Sequence, residues 1–469
     1  IRLTAAESLY RLMDDTGFEA KEFEHFLQET FGLLLKLVSD CDASLDCMQD
    51  VLRYIAVAIK QNARTLSGEK KPGNANGGSN VAVINGQEIV HTIFNSMRLV
   101  WDSCNTTETN LCRVRLIECI THLVGCMRSG NVHQLYPKLL PMVSYCTEST
   151  EDESRICLIE QGLELWHKVL YHSCKLEKPM DDLFARNWLP QMRENQDYFD
   201  GLMDILKSYL LLGAGNFVQN HAESIAETLT QIIPDITDID DSFAKTTDVL
   251  CVFIQLFPQQ SPKFLFNVIE HLVLEFVKSV SAENELKQNQ NQAIKRNEQQ
   301  QIDVEFFAPT FMSRLRIECY MLFFCRLLLL NCDGTLKVLE NIQSKQNNQQ
   351  IMKSLFQSMF AVKHEVKQFY KQKIVVLGLL KIFQGVTNNE QSLIIPLLSQ
   401  LLDWCLLVIK ETEIENLEFA EDVLPEIDDS NKSEWTEADR VSNLYCNDMV
   451  SHTFMIDVLL RTLNEACTK

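Results

Sequence analysis

Residues 23–59 read FEHFLQETFGLLLKLVSDCDASLDCMQDVLRYIAVAI, and this stretch decides the fold class. Apolar residues recur in both halves at the spacing of one face of an α-helix. The first face comprises Phe23, Leu27, Phe31, Leu34, Leu35 and Val38, and the second comprises Leu45, Met48, Leu52, Ile55 and Ile59. A short polar turn, residues 39–42, separates the two faces. Two amphipathic helices joined by so short a turn must pack antiparallel.

The same helical spacing continues along most of the chain, and no alternating pattern is long enough to indicate a strand. Further helices are predicted at 86–104, 110–128, 131–147, 153–173, 196–213, 216–233, 241–257, 261–282, 304–331, 349–362, 365–385, 390–411 and 440–467. A repeated antiparallel helix pair is the unit of HEAT-type and armadillo-type repeats. The sequence therefore predicts an all-α, armadillo-like α-solenoid of HEAT repeats.

Three helices carry a repeat signature, in which an aliphatic residue and an arginine precede small residues. It occurs from Ile1 to Leu9, at Arg115 before Cys119, and at Arg316 before Cys319. Small residues allow a paired helix to approach closely, whereas an arginine can reach a carboxylate or carbonyl of the next repeat. We expect these arginines to link neighbouring repeats.

A solenoid buries a stripe shared between neighbours, so it can lengthen without a domain boundary. Residues 1–469 are therefore predicted to form one continuous HEAT-repeat solenoid with loop insertions at about 62–85, 283–303 and 411–439. The second insertion is rich in Asn and Gln, and both disorder and a helical extension fit it. The chain opens on Ile1 in mid-pattern, so we expect a fragment of a longer polypeptide.

Composition limits the class of partner. The 469 residues carry a formal charge of −21, which favours basic partners and disfavours direct binding of nucleic acid. No apolar run reaches the roughly 18 residues of a membrane span, because Arg326 interrupts the nearest one, so no membrane insertion is expected. The 16 cysteines lie mostly in apolar helical segments, among them Cys112, Cys119 and Cys126 on one helix face. They are expected to be small buried hydrophobes in a reducing compartment.

Motifs for catalysis and for cofactors are missing from the sequence. It has no Cys-x-x-Cys, His-Glu-x-x-His, phosphate-binding glycine pattern or Gly-x-Ser-x-Gly turn. His167 and His172 are five residues apart, which does not place them on one helix face, and both are interpreted as surface or packed histidines. We expect no enzyme activity, no metal and no cofactor.

Proline and tryptophan positions add two expectations. Pro137, Pro141 and Pro396 are predicted to lie in or beside helices and to kink them. Trp101 continues an apolar helix face and is expected in the core, whereas Trp435 is the tryptophan most expected to be exposed.

An acidic segment, residues 411–429, is the candidate partner-binding site. It has no Lys or Arg, and Trp435 follows it. The candidate residues are Glu411, Glu413, Glu415, Glu418, Glu421, Asp422, Glu426, Asp428, Asp429 and Trp435. Two interpretations stay open: a solvated loop, or an element that meets a lysine-rich cargo or another basic surface.

Two strings resemble the C-terminal half of the importin-eleven branch of the karyopherin-β family. They are QLYPKLLP at 134–141 and IEQGLELW at 159–166, and the opening residues through Glu24 look similar to the same region. The resemblance implies a nuclear import receptor that binds cargo in the cytoplasm and releases it when Ran-GTP binds in the nucleus. Implied partners are Phe-Gly nucleoporins and cargoes such as ubiquitin-conjugating enzymes and ribosomal proteins.

The resemblance also implies that Ran-GTP binds mainly through N-terminal repeats that this fragment lacks, and that the protein is a monomer shuttling between cytoplasm and nucleus. An exportin of the same family, or a HEAT-repeat scaffold or regulatory subunit, would have the same solenoid. These alternatives stay open at the level of the sequence.

Overall fold

The computed structural model describes residues 2–41, 44–68, 86–128, 131–149, 152–194, 196–236, 239–297, 312–348, 350–385, 398–410, 436–453 and 455–468. Every regular element in these ranges is helical. The predicted all-α class is therefore confirmed.

The chain divides into two compact units, and the first comprises the described residues of Ile1–Gly213 and Asp428–Arg440. Its α-helices are α1 (Arg2–Met13), α2 (Ala20–Phe23), α3 (Leu27–Asp40), α4 (Leu45–Gln61), α5 (Ala63–Ser67), α6 (Gly86–Ser103), α7 (Asn110–Gly125), α8 (Tyr136–Thr147), α9 (Ile159–Tyr171), α10 (Lys178–Leu183) and α11 (Leu189–Glu194). Single 3₁₀ turns precede several of them, and a π-helical turn, Phe184–Trp188, joins α10 to α11.

The second unit comprises the described residues of Ala214–Ile427 and Val441–Lys469. It contains α13 (Asp240–Leu256), α14 (Ser261–Phe264), α15 (Phe266–Asn297), α16 (Arg314–Leu330), α17 (Cys332–Lys345), α18 (Ile351–Ala361), α19 (Phe369–Gly385), α20 (Leu398–Ile409), α22 (Met449–His452) and α23 (Met455–Thr468). Helices α12 (Phe199–Ile236) and α21 (Glu437–Cys446) each begin in the first unit and end in the second.

Neighbouring helix pairs share their buried faces, as a repeat stack requires. In the first unit α1 packs on α4, α4 on α7 and α7 on α9, while α3 packs on α4 and α6. In the second unit α13 packs on α16 and α16 on α19. The two faces predicted from residues 23–59 are largely buried, with Phe31 and Val38 inside α3 and Leu52 and Ile55 inside α4.

One predicted helix break is wrong. Helices were expected at 196–213 and 216–233, but α12 is continuous across Gly213 and Gly215. A glycine costs a helix about 1 kcal/mol relative to alanine. Leu210 and Phe217 are both buried on either side of the glycines, and their packing outweighs that cost.

The helix predicted at 440–467 is also wrong, because α21, α22 and α23 replace it. Asp448 starts a new helix, since its side chain accepts a hydrogen bond from the amide of Val450. Helix α17 was missed altogether, although Asn331 caps its start by accepting from the amide of Gly334.

Helices occupy the described parts of the predicted loop insertions. Helix α5 lies within 62–85, and α21 begins within 411–439. Helix α15 continues to Asn297, so the helical extension is the correct alternative for the described part of 283–303. The single continuous solenoid over 1–469 stays a prediction.

The arginine of the repeat signature reaches a carboxylate on another helix at two of three positions. Arg2 on α1 pairs with Asp40 on α3 at 2.8 Å, and Arg316 on α16 pairs with Asp240 on α13 at 3.1 Å. Arg115 instead pairs with Glu118 on its own helix at 2.8 Å.

The expected burial holds for many of the described cysteines but not for Cys157, Cys174 and Cys446, which are exposed. Cys112, Cys119 and Cys126 are buried. Trp101 is buried as predicted. Trp435 lies outside the described residues.

Prolines enter one helix as predicted. Pro137 lies in the first turn of α8, and Pro141 lies inside the same helix. Pro396 lies outside the described residues. None of the described helices has the length and apolar character needed to cross a membrane.

A glycine sets the distance between α16 and α19. A Cβ atom at Gly378 would lie 2.5 Å from the carbonyl oxygen of Cys325 and 2.9 Å from its Cα, so the two backbones would have to separate. We predict that Gly378→Ala destabilises the second unit by about 1–3 kcal/mol through overpacking. Thermal unfolding followed by circular dichroism measures the loss.

Gly32→Ala is the matched control. Gly32 lies inside α3 with no atom within 4 Å of an added Cβ. Alanine there is expected to leave stability unchanged or raise it by up to about 1 kcal/mol, because it lowers the entropy of the unfolded chain. Equal thermal unfolding temperatures for Gly378→Ala and Gly32→Ala would contradict the close approach of the α16 and α19 backbones.

Candidate partner-binding site

The ten residues predicted to bind a partner all lie outside the described residues. They are Glu411, Glu413, Glu415, Glu418, Glu421, Asp422, Glu426, Asp428, Asp429 and Trp435. The described chain stops at residue 410 and resumes at residue 436. The structure therefore describes the helices that precede and follow the acidic segment in the sequence, α20 and α21.

Helix α20 leads into the acidic segment and has one buried and one exposed face. Trp404 and Cys405 are buried, and the helix packs on α19 and α23. Leu406 and Leu407 remain 59% and 48% exposed. Exposed leucines therefore lie four and five residues before Glu411, the first acidic residue, in the sequence.

Helix α21 follows the acidic segment, and a reciprocal cap fixes its start. The backbone amide and hydroxyl of Thr436 both donate to the carboxylate of Asp439 at 2.7 Å. The amide of Asp439 donates back to the Thr436 hydroxyl at 3.4 Å. This is a capping box, and it starts the helix directly after Trp435.

Glu437 buries its carboxylate against α9 and α12, with 8% of the residue exposed. The hydroxyl of Ser208 donates to the carboxylate, and Nε2 of His167 lies 3.7 Å from it. Burial acts to raise the pKa of Glu437, but His167, Ser208 and the charge of Arg440 together outweigh it and hold the pKa below its usual value. The buried carboxylate is therefore ionised and held at neutral pH.

Arg440 caps the C-terminal end of α9. Its guanidinium donates to the carbonyl oxygens of Ser173 at 2.7 Å, Leu170 at 3.2 Å and Tyr171 at 3.5 Å. These carbonyls carry the negative end of the helix dipole, so a cation there is stabilising. Glu437 and Arg440 together anchor the first turn of α21 to the first unit.

His172 lies beside this anchor and is buried. Neither ring nitrogen has a hydrogen-bond partner in the described part of the chain. Burial, with the nearby charges of Lys168 and Arg440, lowers the pKa of His172 to about 4. The interpretation of His172 as a packed histidine is confirmed, while His167 is half-buried beside Glu437.

The anchor predicts a pH-dependent stability. Glu437→Gln should destabilise the first unit by about 1–2 kcal/mol at neutral pH, because the amide loses charge-assisted hydrogen bonds. The folded pKa of Glu437 lies below its usual 4.5, so its contribution is present above pH 4.5 and is lost as the pH falls through the folded pKa. Urea unfolding at about pH 6 and about pH 3.5 should show the wild-type advantage shrinking with acidification.

Glu164→Gln, on the exposed face of α9, is the control and should change stability little at either pH. The wild type and the Glu437 variant are compared by their free energies of unfolding. If the difference is the same at both values of pH, it contradicts an ionised carboxylate at this position.

A second buried anchor holds the end of α21 within the second unit. Asp448 lies 2.6 Å from the guanidinium of Arg326, and both side chains are no more than 3% exposed. The same carboxylate accepts from the hydroxyl of Tyr370 at 2.7 Å and from the side-chain amide of Gln255 at 3.2 Å. Removing one partner of such a buried pair is expensive, since a desolvated charge remains.

The string QLYPKLLP, on which part of the resemblance rests, forms one wall of a surface groove. The groove has a volume of 820 Å³ and lies between α8 and the residues from Glu177 to Arg186. Tyr136, Pro137 and Pro141 line the first wall. The string is therefore divided between the surface, where Pro137 and Pro141 are exposed, and the core, where Leu135 and Leu139 are buried.

Sequence reasoning missed both anchors, although each left a signal. The Thr436-x-x-Asp439 pattern is a capping box that marks a helix start. Arg326 within an apolar run indicates a buried cation that needs a carboxylate. The partner, Asp448, could not be chosen from the sequence. Within the described residues, no group of His, Cys, Asp and Glu could hold a metal ion.

Antiparallel helix pairs that share buried faces with their neighbours define the class of helical-repeat proteins. Residues 114–469 match the family described as "Importin-11-like, TPR repeats", and the chain belongs to this family. TPR repeats, like HEAT repeats, are antiparallel helix pairs. The resemblance to the importin-eleven branch is confirmed.

The individual relatives share low sequence identity with this chain. Importin-11 of Mus musculus is 24% identical over 240 residues, and Importin-11 of Homo sapiens is 22% identical over 240 residues. Each match covers 50% of this chain and 22% of the relative. The matched region is thus about a fifth of the length of these relatives.

Proposed function

We propose that this chain is part of a nuclear transport receptor that binds protein cargo and carries it into the nucleus under the control of Ran-GTP. The family match over residues 114–469 is the observation that carries the proposal. A stack whose repeats touch only their neighbours bends at low cost, which suits a receptor that wraps around different partners. The receptor shuttles between cytoplasm and nucleus as a monomer and crosses the pore through Phe-Gly nucleoporins.

The acidic segment is the proposed contact for basic cargo, for example a ribosomal protein. Nine carboxylates lie between Glu411 and Asp429 without an intervening Lys or Arg. Such a segment attracts a basic surface, raises the association rate and disfavours acidic competitors. Trp435 adds an aromatic contact beside it.

The anchors support this proposal. Arg440 and Glu437 tie the residues directly after the acidic segment to α9 and α12. A segment that ends on a fixed point loses less conformational entropy on binding than a free tail. The two exposed leucines at the end of α20 offer apolar contact area next to the charges.

Neutralising the acidic segment tests the cargo contact. With all nine carboxylates changed to amides, affinity for a basic ribosomal protein should fall about tenfold or more near 0.15 M salt, mainly through slower association. The difference should shrink near 0.5 M salt, because screening removes the charge attraction from the wild type as well. Surface plasmon resonance gives both rate constants.

The control neutralises nine exposed carboxylates of the first unit and so matches the change in net charge. They are Asp15, Glu19, Glu22, Glu29, Glu108, Glu153, Glu160, Glu164 and Asp197. If both variants lose the same affinity, the effect belongs to net charge and the acidic segment is a solvated loop.

The direction of transport is tested on the intact receptor. Cargo captured on the immobilised receptor should be released by stoichiometric Ran-GTP and retained with Ran-GDP, because the two ligands compete for one conformational equilibrium. Mass spectrometry of the bound fraction reads the result. Cargo that survives Ran-GTP contradicts an importin, and cargo that requires Ran-GTP indicates an exportin.

A further inference from the structure

Arg113 on α7 is a buried cation held between two aromatic rings. The residue is 8% exposed, and its guanidinium carbon lies 4.8 Å from the ring of Trp101 and 4.6 Å from the ring of Tyr145. The two rings meet edge to face at 89°, with centroids 5.9 Å apart. Helices α6, α7 and α8 each contribute one of the three side chains, so packing of the repeats fixes the guanidinium.

The charge of Arg113 has no anionic partner in the described part of the chain. Its Nε is buried without a hydrogen bond, and no described carboxylate lies within ion-pair distance. This is unexpected in a chain with 64 acidic and 43 basic residues. Contact with two rings offsets about 1–4 kcal/mol of the desolvation cost, which for a buried ion is several kcal/mol.

Arg155 contacts the same tyrosine, but it has hydrogen-bond and ion-pair partners within the first unit. Its guanidinium carbon lies 4.1 Å from the Tyr145 ring, and it donates to the backbone carbonyl of Tyr145 near the end of α8. Glu148 lies 3.5 Å from it. Arg155 is thus a helix cap with a carboxylate partner. Of the two arginines on Tyr145, Arg113 is the one without a carboxylate partner among the described residues.

The two terminal amino groups of Arg113 are not sealed from solvent in the way that its Nε is. Of its three nitrogens only Nε is sealed from solvent without a partner. A guanidinium held by its faces and open along its terminal edge presents two parallel N–H donors, which is the geometry that pairs with a carboxylate. Because the rings already hold it, little side-chain entropy is lost on binding.

We propose that Trp101, Arg113 and Tyr145 form a binding site for a single carboxylate, supplied by an Asp or Glu side chain of a partner protein. One uncompensated positive charge matches one monoanion. A phosphate dianion is disfavoured, since Glu148 lies on the other arginine of the cluster and the chain as a whole is negative. The site is independent of the acidic segment and of the proposed transport function.

Nuclear magnetic resonance on the whole chain with ¹⁵N-arginine and ¹⁵N-tryptophan labelling tests the site, with the peptide N-acetyl-Gly-Glu-Gly-amide as probe. The Nε–H signal of Arg113 should shift saturably with a dissociation constant on the order of millimolar, the range of one charge-assisted pair. The Gln analogue of the peptide should shift it at least about fivefold less. Arg98, a half-buried arginine paired with Asp102 on α6, serves as the internal reference and should respond only to ionic strength.

Arg113→Lys separates a site from a structural role. Lysine keeps the charge but loses the parallel donors, so affinity for the Glu peptide, followed in every variant by the indole Nε1–H signal of Trp101, should fall about tenfold while Arg98→Lys leaves it unchanged. Peptide affinity retained in Arg113→Lys, an Arg113 signal that follows the Gln peptide equally, or no saturable shift overturns the proposal. Tighter binding of inorganic phosphate than of the Glu peptide overturns the assignment to a carboxylate.

Discussion

The second unit depends on the close contact between α16 and α19. Gly378 lets the two backbones approach at Cys325, where any side chain on that glycine would collide with a carbonyl oxygen. The next residue on α16 is Arg326, and Tyr370 lies near the start of α19. Their contact with each other and with Asp448 requires this spacing, because a buried ion pair is tolerated only when its geometry and hydrogen bonds are complete. One glycine therefore supports a polar site that holds the C-terminal helices.

The part of the fold that follows from local periodicity could be predicted from the sequence. The buried positions of α3 and α4 recur at helical spacing, so the helix pair 23–59 and the all-α class follow from hydrophobic burial alone. Trp101 and Cys119 are in the core for the same reason. The glycines at 213 and 215 misled the prediction, since an intrinsic preference of about 1 kcal/mol is easily outweighed by packing on either side.

What local patterns do not contain is the identity of distant partners. Ser208 and Glu437 are 229 residues apart, and no property of either residue specifies the other. The environment of Arg113 could not be predicted either, because its sequence context gives no sign that two aromatic rings from neighbouring helices will enclose it. The ten candidate partner-binding residues came from composition, which describes charge but assigns no geometry.

The contact between Arg440 and Ser173 spans 267 residues of chain, so it gives the first unit a folding order that a simple repeat array lacks. Helix pairs can form one after another as the ribosome releases them, because their contacts are local. Arg440 is therefore synthesised on the order of tens of seconds after the C-terminal carbonyls of α9, at ordinary rates of synthesis. During that time this end of α9 has its local backbone caps but not the arginine, so a chaperone or a protease that reads these carbonyls would distinguish a nascent chain from a finished one.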